Sequence, residues 1–414
     1  MFFHHVLSNG LEIVTQTLPD VESVAVGFFV RCGSRCENSA ISGMSHVLEH
    51  MVFKGSRTRT AMEINRAFDA RGISFNAVTS EEMTAFHAFL LPEFLEDTVE
   101  LFADLLRPTF READFLAEKE VILEEIRMYE DTPPFCQDEK IRQTFFHGHP
   151  LGNPVLGSRK SVRSLTIEQM TAYFQQFYTP SNIVLAACGK VDGEKLARLA
   201  EKYCGFWEPG KVPMPFSPPW TPMLGEKIVI KHDIPQDYVL QCLRGPSEKE
   251  PEKYAARLLA SMVGEDFGSR FYWQLVDSGL AEQAILDFTE YSDAGLFQIT
   301  LISPPEKTSA NRKKISQILQ RISREGFTEK ELQLAKTRLK TELILGGEKP
   351  WEHFFPLGCE WLFRRSFFSI RDECEQLRQV TLDEIHQLLQ KYPLTQSLTF
   401  HITAMPPKGI RLST

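Results

Sequence analysis

The chain has 414 residues, of which 43% are hydrophobic and 24% are charged, a globular balance that excludes a disordered protein. Its net charge of -9 and the lack of any Lys/Arg-rich run argue against nucleic acid and anionic membrane surfaces as partners. No stretch approaches the ~18 uninterrupted apolar residues of a membrane span, and the N-terminus lacks the features of a signal peptide. The sequence therefore predicts a cytoplasmic protein of two domains, each of roughly 200 residues.

The first half of the chain predicts alternating strands and helices from the spacing of its apolar residues. The predicted strands are 11–17, 23–31, 75–91 and 183–188. The predicted helices are 44–53, 61–71, 93–106, 112–129 and 167–177. This mixture of strands and amphipathic helices indicates a sheet with helices packed on it.

A proline-rich segment divides the chain. Six prolines lie between positions 209 and 222, and because proline fixes φ and lacks an N–H donor, we expect a semi-rigid linker over 209–226. The second half then repeats a helix, a turn and an apolar strand, found around Tyr178 and again around Tyr392. The sequence therefore predicts an α+β fold of two tandem, related α/β-sandwich domains, 1–208 and 227–414. Each would contain an antiparallel-rich sheet with helices packed on it.

The segment His46-Val-Leu-Glu49-His50 has the spacing of a metal-binding helix. Residues four apart project from one face of a helix, so His46 and His50 can reach a single ion, and Glu49 lies beside them. Two imidazoles leave zinc positions for a third ligand and a water, whose proton Glu49 would accept as general base. Chance gives this pattern in fewer than roughly 4 chains in 100 of this composition. The motif alone can therefore be accidental, and a zinc site also requires a third ligand.

The predicted helix 112–129 offers that ligand. Glu118 and Glu125 are two helical turns apart and therefore share a face. Glu125 would ligate the metal, while Glu118 supports one of the ligands from behind. On spacing alone, an acidic helix face exposed to solvent explains the same pair more simply, and both interpretations stay open at this point.

At these two helices the sequence resembles the pitrilysin/insulinase family of zinc metallopeptidases, which includes mitochondrial processing peptidase and bacterial two-domain proteins of that type. The family carries an inverted His-x-x-Glu-His motif, which stands here within Gly43–Gly55. The resemblance implies one Zn²⁺ per chain, held by His46, His50 and Glu125. Glu49 is then the catalytic base.

The resemblance extends to the third ligand and to the substrate. It favours Glu125 over Glu124 as the ligand and gives Glu118 the supporting place. The strand that follows the second predicted helix resembles the edge strand that pairs with an extended peptide in this family, which makes Asn76 and Ala77 candidate substrate-binding residues. The implied substrate is a peptide or an unfolded segment. The resemblance also allows a homodimer, or a heterodimer with a related subunit.

One stretch of the second half departs from the family pattern. Active relatives carry an arginine and a tyrosine there that assist substrate binding, whereas Val276 and Glu282 stand in the corresponding positions of this chain. Arg270 and Tyr272 lie upstream and are more simply explained by packing. The altered stretch implies a slow peptidase. The alternative function is a weakly active or non-catalytic peptide-binding partner subunit of a heterodimeric peptidase.

Overall fold

The computed structural model describes residues 1–131, 135–211 and 218–404 of the chain. In chain order the strands are β1 (Phe2–Val6), β2 (Glu12–Thr17), β3 (Val24–Val30), β4 (Ser74–Thr79), β5 (Thr84–Leu90), β6 (Ile183–Gly189), β7 (Gly225–Ile230), β8 (Asp237–Gly245), β9 (Gln283–Glu290), β10 (Gly295–Ser303) and β11 (Leu398–Thr403). The helices are α1 (Met44–Val52), α2 (Ala61–Asp69), α3 (Leu95–Leu105), α4 (Glu112–Asp131), α5 (Phe135–Phe145), α6 (Arg159–Ser164), α7 (Ile167–Phe177), α8 (Gly193–Cys204), α9 (Lys253–Gly264), α10 (Pro305–Glu325), α11 (Glu329–Gly346), α12 (Pro350–Arg364), α13 (Ile370–Gln379) and α14 (Leu382–Lys391). Within the described ranges, none of these helices combines the length and the apolar character needed to span a bilayer.

The first sheet contains six strands in the order β1-β2-β6-β3-β5-β4. β2 and β6 run parallel, and the other neighbouring pairs are antiparallel. Every residue of the central strands β3 and β6 is buried, and both strands are near-continuous apolar runs because both faces of the sheet are covered. β4 lies at the edge, and its residues alternate between exposed and half-buried.

The second sheet repeats this topology with five strands in the order β7-β11-β8-β10-β9. β11 is inserted parallel to β7 and antiparallel to β8, just as β6 is inserted between β2 and β3. In each half the helix before the inserted strand begins with a capping box, at Thr166 for α7 and at Thr381 for α14. The predicted α+β fold of two related α/β domains is therefore confirmed.

Helix α12 covers the face of the first sheet opposite to α1. Alternate residues of β3 pack with α1, whereas Ala25 and Phe29 of the same strand pack with α12. The rings of Phe29 and Phe354 have centroids 5.1 Å apart, and Trp361 Nε1 donates a hydrogen bond to Glu12 Oε2 at 2.5 Å. A Cβ on Gly358 would come within 2.3 Å of the Phe29 ring, so only glycine allows this close approach.

The compact units of the fold differ from the predicted ranges 1–208 and 227–414. The described residues of 1–128, 149–218 and 344–370 form one unit, and those of 129–148, 219–343 and 371–414 form the other. The physical reason for the placement of 344–370 is the apolar second face of the first sheet, which α12 buries. Of the predicted linker 209–226, residues 212–217 lie outside the described residues, and β7 already begins at Gly225.

The predicted strand 75–91 is a hairpin. β4 ends at Thr79 and β5 begins at Thr84, and the Ser80 N–H donates to the Met83 carbonyl at 2.8 Å to close the turn. The turn contains no Gly, Pro, Asn or Asp, the strongest markers of turns in a sequence, so the sequence pattern alone suggested one continuous strand.

Candidate metal centre

Helix α1 is held at its start by a buried carboxylate. Gly43 precedes the helix with φ of 92°, a left-handed conformation that glycine adopts readily, and no side chain caps the helix at this position. Instead, the Glu37 carboxylate accepts hydrogen bonds from the backbone N–H groups of Gly43 and Ser45, both at 2.7 Å. Burial raises the pKa of Glu37 to about 8, while these hydrogen bonds act in the opposite direction. Glu37 therefore fixes the orientation of the helix that bears the His-x-x-Glu-His motif.

Three side chains converge between α1 and α4. The rings of His46 and His50 have centroids 4.7 Å apart, as their spacing on α1 predicts. Glu125 Oε2 on α4 lies 3.7 Å from His46 Nε2 and 3.8 Å from His50 Nε2. Two ligand atoms bound to one zinc at about 2.0–2.1 Å each are about 3.3 Å apart in a tetrahedral site. The separations are therefore close to those of a shared metal ion.

The chemistry of this donor set fits zinc. Burial, with a smaller contribution from neighbouring His50, lowers the pKa of His46 to about 3, so its imidazole is neutral and its lone pair is available to a metal. Burial also raises the pKa of Glu125. Two imidazoles and one carboxylate form a ligand set of catalytic zinc sites, which leave a further position open.

Glu118 supports His50 from behind. Its Oε2 lies 3.1 Å from His50 Nδ1, and its Oε1 lies 2.5 Å from Lys54 Nζ. A proton on Nδ1 that is donated to this carboxylate leaves the Nε2 lone pair of His50 directed at the cluster. The buried carboxylate thus holds the ring in the orientation that a metal ligand needs.

Glu49 is tied to the edge strand β4. Its Oε2 accepts a hydrogen bond from Thr79 Oγ1 at 2.5 Å, and burial raises its pKa against the opposing effect of that bond. Sequence reasoning missed Thr79, because the contact joins residues from separate elements and has no local signature. Glu124 is exposed, with Arg127 Nη1 3.9 Å away, and so points away from the cluster.

Asn76 and Ala77 lie on β4, the edge strand of the first sheet. Among the described strands, β4 pairs with β5, through the partners Asn76 with His87 and Ala77 with Phe86. The other side of the strand has backbone groups available to an extended peptide. The Ala77 N–H donates to Asn76 Oδ1 at 2.9 Å, a bond that a peptide pairing with Ala77 would replace.

The charged residues around the altered stretch of the second half bind partners within their own unit. Arg270 donates to Glu331 through Nε at 2.8 Å and Nη2 at 3.2 Å, and its guanidinium stacks on Phe327. Val276 packs against the second core, and exposed Glu282 accepts a hydrogen bond from Gln236 Nε2 at 2.8 Å. Arg270 is therefore held by partners within its own unit.

Two family models match consecutive stretches of the chain. The family model described as insulinase (peptidase family M16) matches residues 12–159, and the model described as peptidase M16 inactive domain matches residues 164–339. A Mycobacterium leprae protein named as an uncharacterized zinc protease is 32% identical over 93% of this chain and 88% of that protein. A Bacillus subtilis protein, the uncharacterized zinc protease YmxG, is 29% identical over 94% and 95%.

Solved structures share the whole fold. The crystal structure of a protease from Helicobacter pylori matches with a TM-score of 0.90 and 23% identity, covering 97% of this chain and 99% of that chain. A Pseudomonas fluorescens structure described as a peptidase M16 inactive domain also gives a TM-score of 0.90, with 18% identity and coverage of 98% and 99%. At these identities the likeness is one of fold.

Proposed function

This chain belongs to the insulinase family of peptidases (family M16), and from that premise we propose that it is a zinc-dependent endopeptidase. Its relatives are named zinc proteases, and its first unit contains a His-His-Glu cluster that can hold a metal ion. The observation that supports the proposal most is the convergence of His46, His50 and Glu125 on one point.

Each residue of the centre has a distinct role in this proposal. His46, His50 and Glu125 would hold the zinc, which when bound would supply Lewis-acid polarisation of a carbonyl and a lowered pKa of water. Glu49 accepts the proton of the attacking water and then donates it to the leaving amine. Thr79 binds one oxygen of Glu49, which leaves the other oxygen for the water. Burial raises the pKa of Glu49, which favours the uptake of a proton by its carboxylate.

The substrate that suits this arrangement is an extended peptide. A peptide that adds as a strand to β4 would run along the strand that carries Thr79, the partner of Glu49. Asn76 and Ala77 would contact it from the same strand. Only a segment free of its own structure can pair in this way, so we infer that peptides or unfolded segments are cleaved. The cytoplasmic location stays a prediction.

A second candidate function is a weakly active or non-catalytic partner subunit that binds peptide. It is favoured by Val276 and Glu282, which stand where active relatives carry donors to the substrate. We expect the endopeptidase, although a slow one: the purified chain should bind about one zinc and cleave unstructured peptides at internal bonds. Mass spectrometry of the products, before and after removal and return of zinc, measures this. Full zinc content without any cleavage would contradict it and favour the partner subunit.

Glu118→Gln should weaken zinc binding by about 10–100-fold, because a neutral amide oxygen accepts the His50 Nδ1–H bond more weakly than a carboxylate and so makes His50 a poorer ligand. Competition with a chelator of known affinity measures the zinc Kd, and thermal unfolding reports on the fold. The matched control is Glu124→Gln, the same change at an exposed position of α4, which should bind zinc like the wild type. Equal zinc affinity in the two variants would mean that Glu118 has no role in metal binding.

A further inference from the structure

A cavity lies in the first unit, apart from the residues of the metal centre. It has a volume of about 980 Å³, and its lining includes none of His46, Glu49, His50 and Glu125. Its walls include the aromatic side chains of Phe174, Tyr203 and Trp207, which come from α7, α8 and the segment after α8. Arg107, just beyond the end of α3, also lines it. The cavity thus combines an apolar surface with charged side chains, among them the arginines Arg57, Arg59 and Arg107.

The Arg107 guanidinium forms few hydrogen bonds for its number of N–H donors. It lies 3.8 Å from the centroid of the Trp207 ring, and of its five N–H donors one binds the Leu106 carbonyl at 2.6 Å. No carboxylate among the described residues forms an ion pair with it. Burial lowers the pKa of Arg107 to about 10, which is the cost of holding this charge away from water.

Arg59 also lines the cavity and, unlike Arg107, has carboxylate partners. Arg59 pairs with Glu100 at 2.6 Å and with Asp104 at 2.8 Å. Glu100 and Asp104 are thus bound to Arg59, and Arg107 has no carboxylate partner among the described residues. The carboxylates of the same lining would repel a doubly charged anion such as phosphate. A ligand with a single negative charge suits the cavity better.

The free N–H donors of the guanidinium select the geometry of that ligand. Arg107 lies over the Trp207 ring, a contact that uses none of its N–H donors, so the donors on its edges other than the one bound to Leu106 can bind a ligand. Two parallel N–H donors on such an edge match the two oxygens of a carboxylate. We propose that this cavity binds a small carboxylate with an apolar, ring-bearing body, the carboxylate on the edge of Arg107 and the body against the aromatic walls.

The test uses two probes with the same body, one ending in a carboxylate and the other in a neutral amide. N-acetyl-L-phenylalanine carries a carboxylate on an aromatic body, and its amide carries the same body without the charge. Calorimetric titration of the full chain should show binding of the acid, with the amide weaker by about tenfold or more, the usual effect of losing a charge-assisted hydrogen bond. Inorganic phosphate should not displace the acid.

Two variants locate the site. Arg107→Gln should lose binding of the acid, whereas Arg57→Gln, which removes an exposed arginine from the same lining, should keep it. The zinc content and the unfolding midpoint of each variant report on the fold. Equal binding of acid and amide, no binding of either probe, displacement by phosphate, or unchanged acid binding by Arg107→Gln would each overturn the proposal. If Arg107→Gln fails to fold, the comparison of the two probes on the wild type decides alone.

Discussion

Replacing Glu49 with glutamine should leave zinc bound and reduce peptide hydrolysis by about two to four orders of magnitude, the usual contribution of a positioned general base. Glutamine has the size of glutamate, and its amide oxygen can still accept the hydrogen bond from Thr79 Oγ1. The geometry of α1 should therefore persist, and only the group that accepts the proton is lost. The measurement is kcat/KM on one fluorogenic peptide, with zinc determined in the same sample.

The control for this result is Glu124→Gln, an identical chemical change at an exposed position that should leave both values unchanged. Loss of zinc from Glu49→Gln would mean that Glu49 is itself a ligand. Hydrolysis at the wild-type rate would mean that another group accepts the proton.

His50→Ala should lower the zinc content from about one per chain to near zero and abolish hydrolysis with it. The substitution removes one of three converging donors, and two remaining ligands, His46 and Glu125, form an incomplete set. The fold should survive, because Glu118 keeps its ion pair with Lys54 when His50 is lost. Elemental analysis after gel filtration measures zinc, and circular dichroism checks the helix content.

An exposed histidine provides the comparison. His147→Ala removes an imidazole outside the cluster and should leave zinc content and hydrolysis as in the wild type. If His50→Ala retained zinc with unchanged affinity, the ion would have to be bound elsewhere in the chain.

The parts of the centre that follow from helix geometry were predictable from the sequence. His46, Glu49 and His50 lie within five residues of one helix, so their relative placement depends on the helical repeat alone. The same repeat puts Glu118 and Glu125 on one face of α4. That these two faces meet depended on the family resemblance, because no spacing within the sequence connects two separate helices.

The parts that depend on tertiary contacts were not predictable. The hydrogen bond from Thr79 to Glu49 joins a helix to an edge strand, and Glu37 caps α1 from a loop six residues before Gly43. The unit to which α12 belongs was missed for the same reason, since apolar residues in the second half suggest a core in the second half. The spacing of apolar residues indicates which face of a helix or strand is apolar, but it does not indicate which other element packs on that face.

The position of α12 has a consequence for the synthesis of the chain. All six strands of the first sheet, from Phe2 to Gly189, leave the ribosome long before residues 350–364 are made. During that interval Phe29 and its neighbours on the second face have no helix over them, and an apolar sheet face exposed in this way is prone to aggregation. The first unit therefore completes its core only after residues 350–364 have been made, and a fragment cut at the proline-rich segment would never complete it.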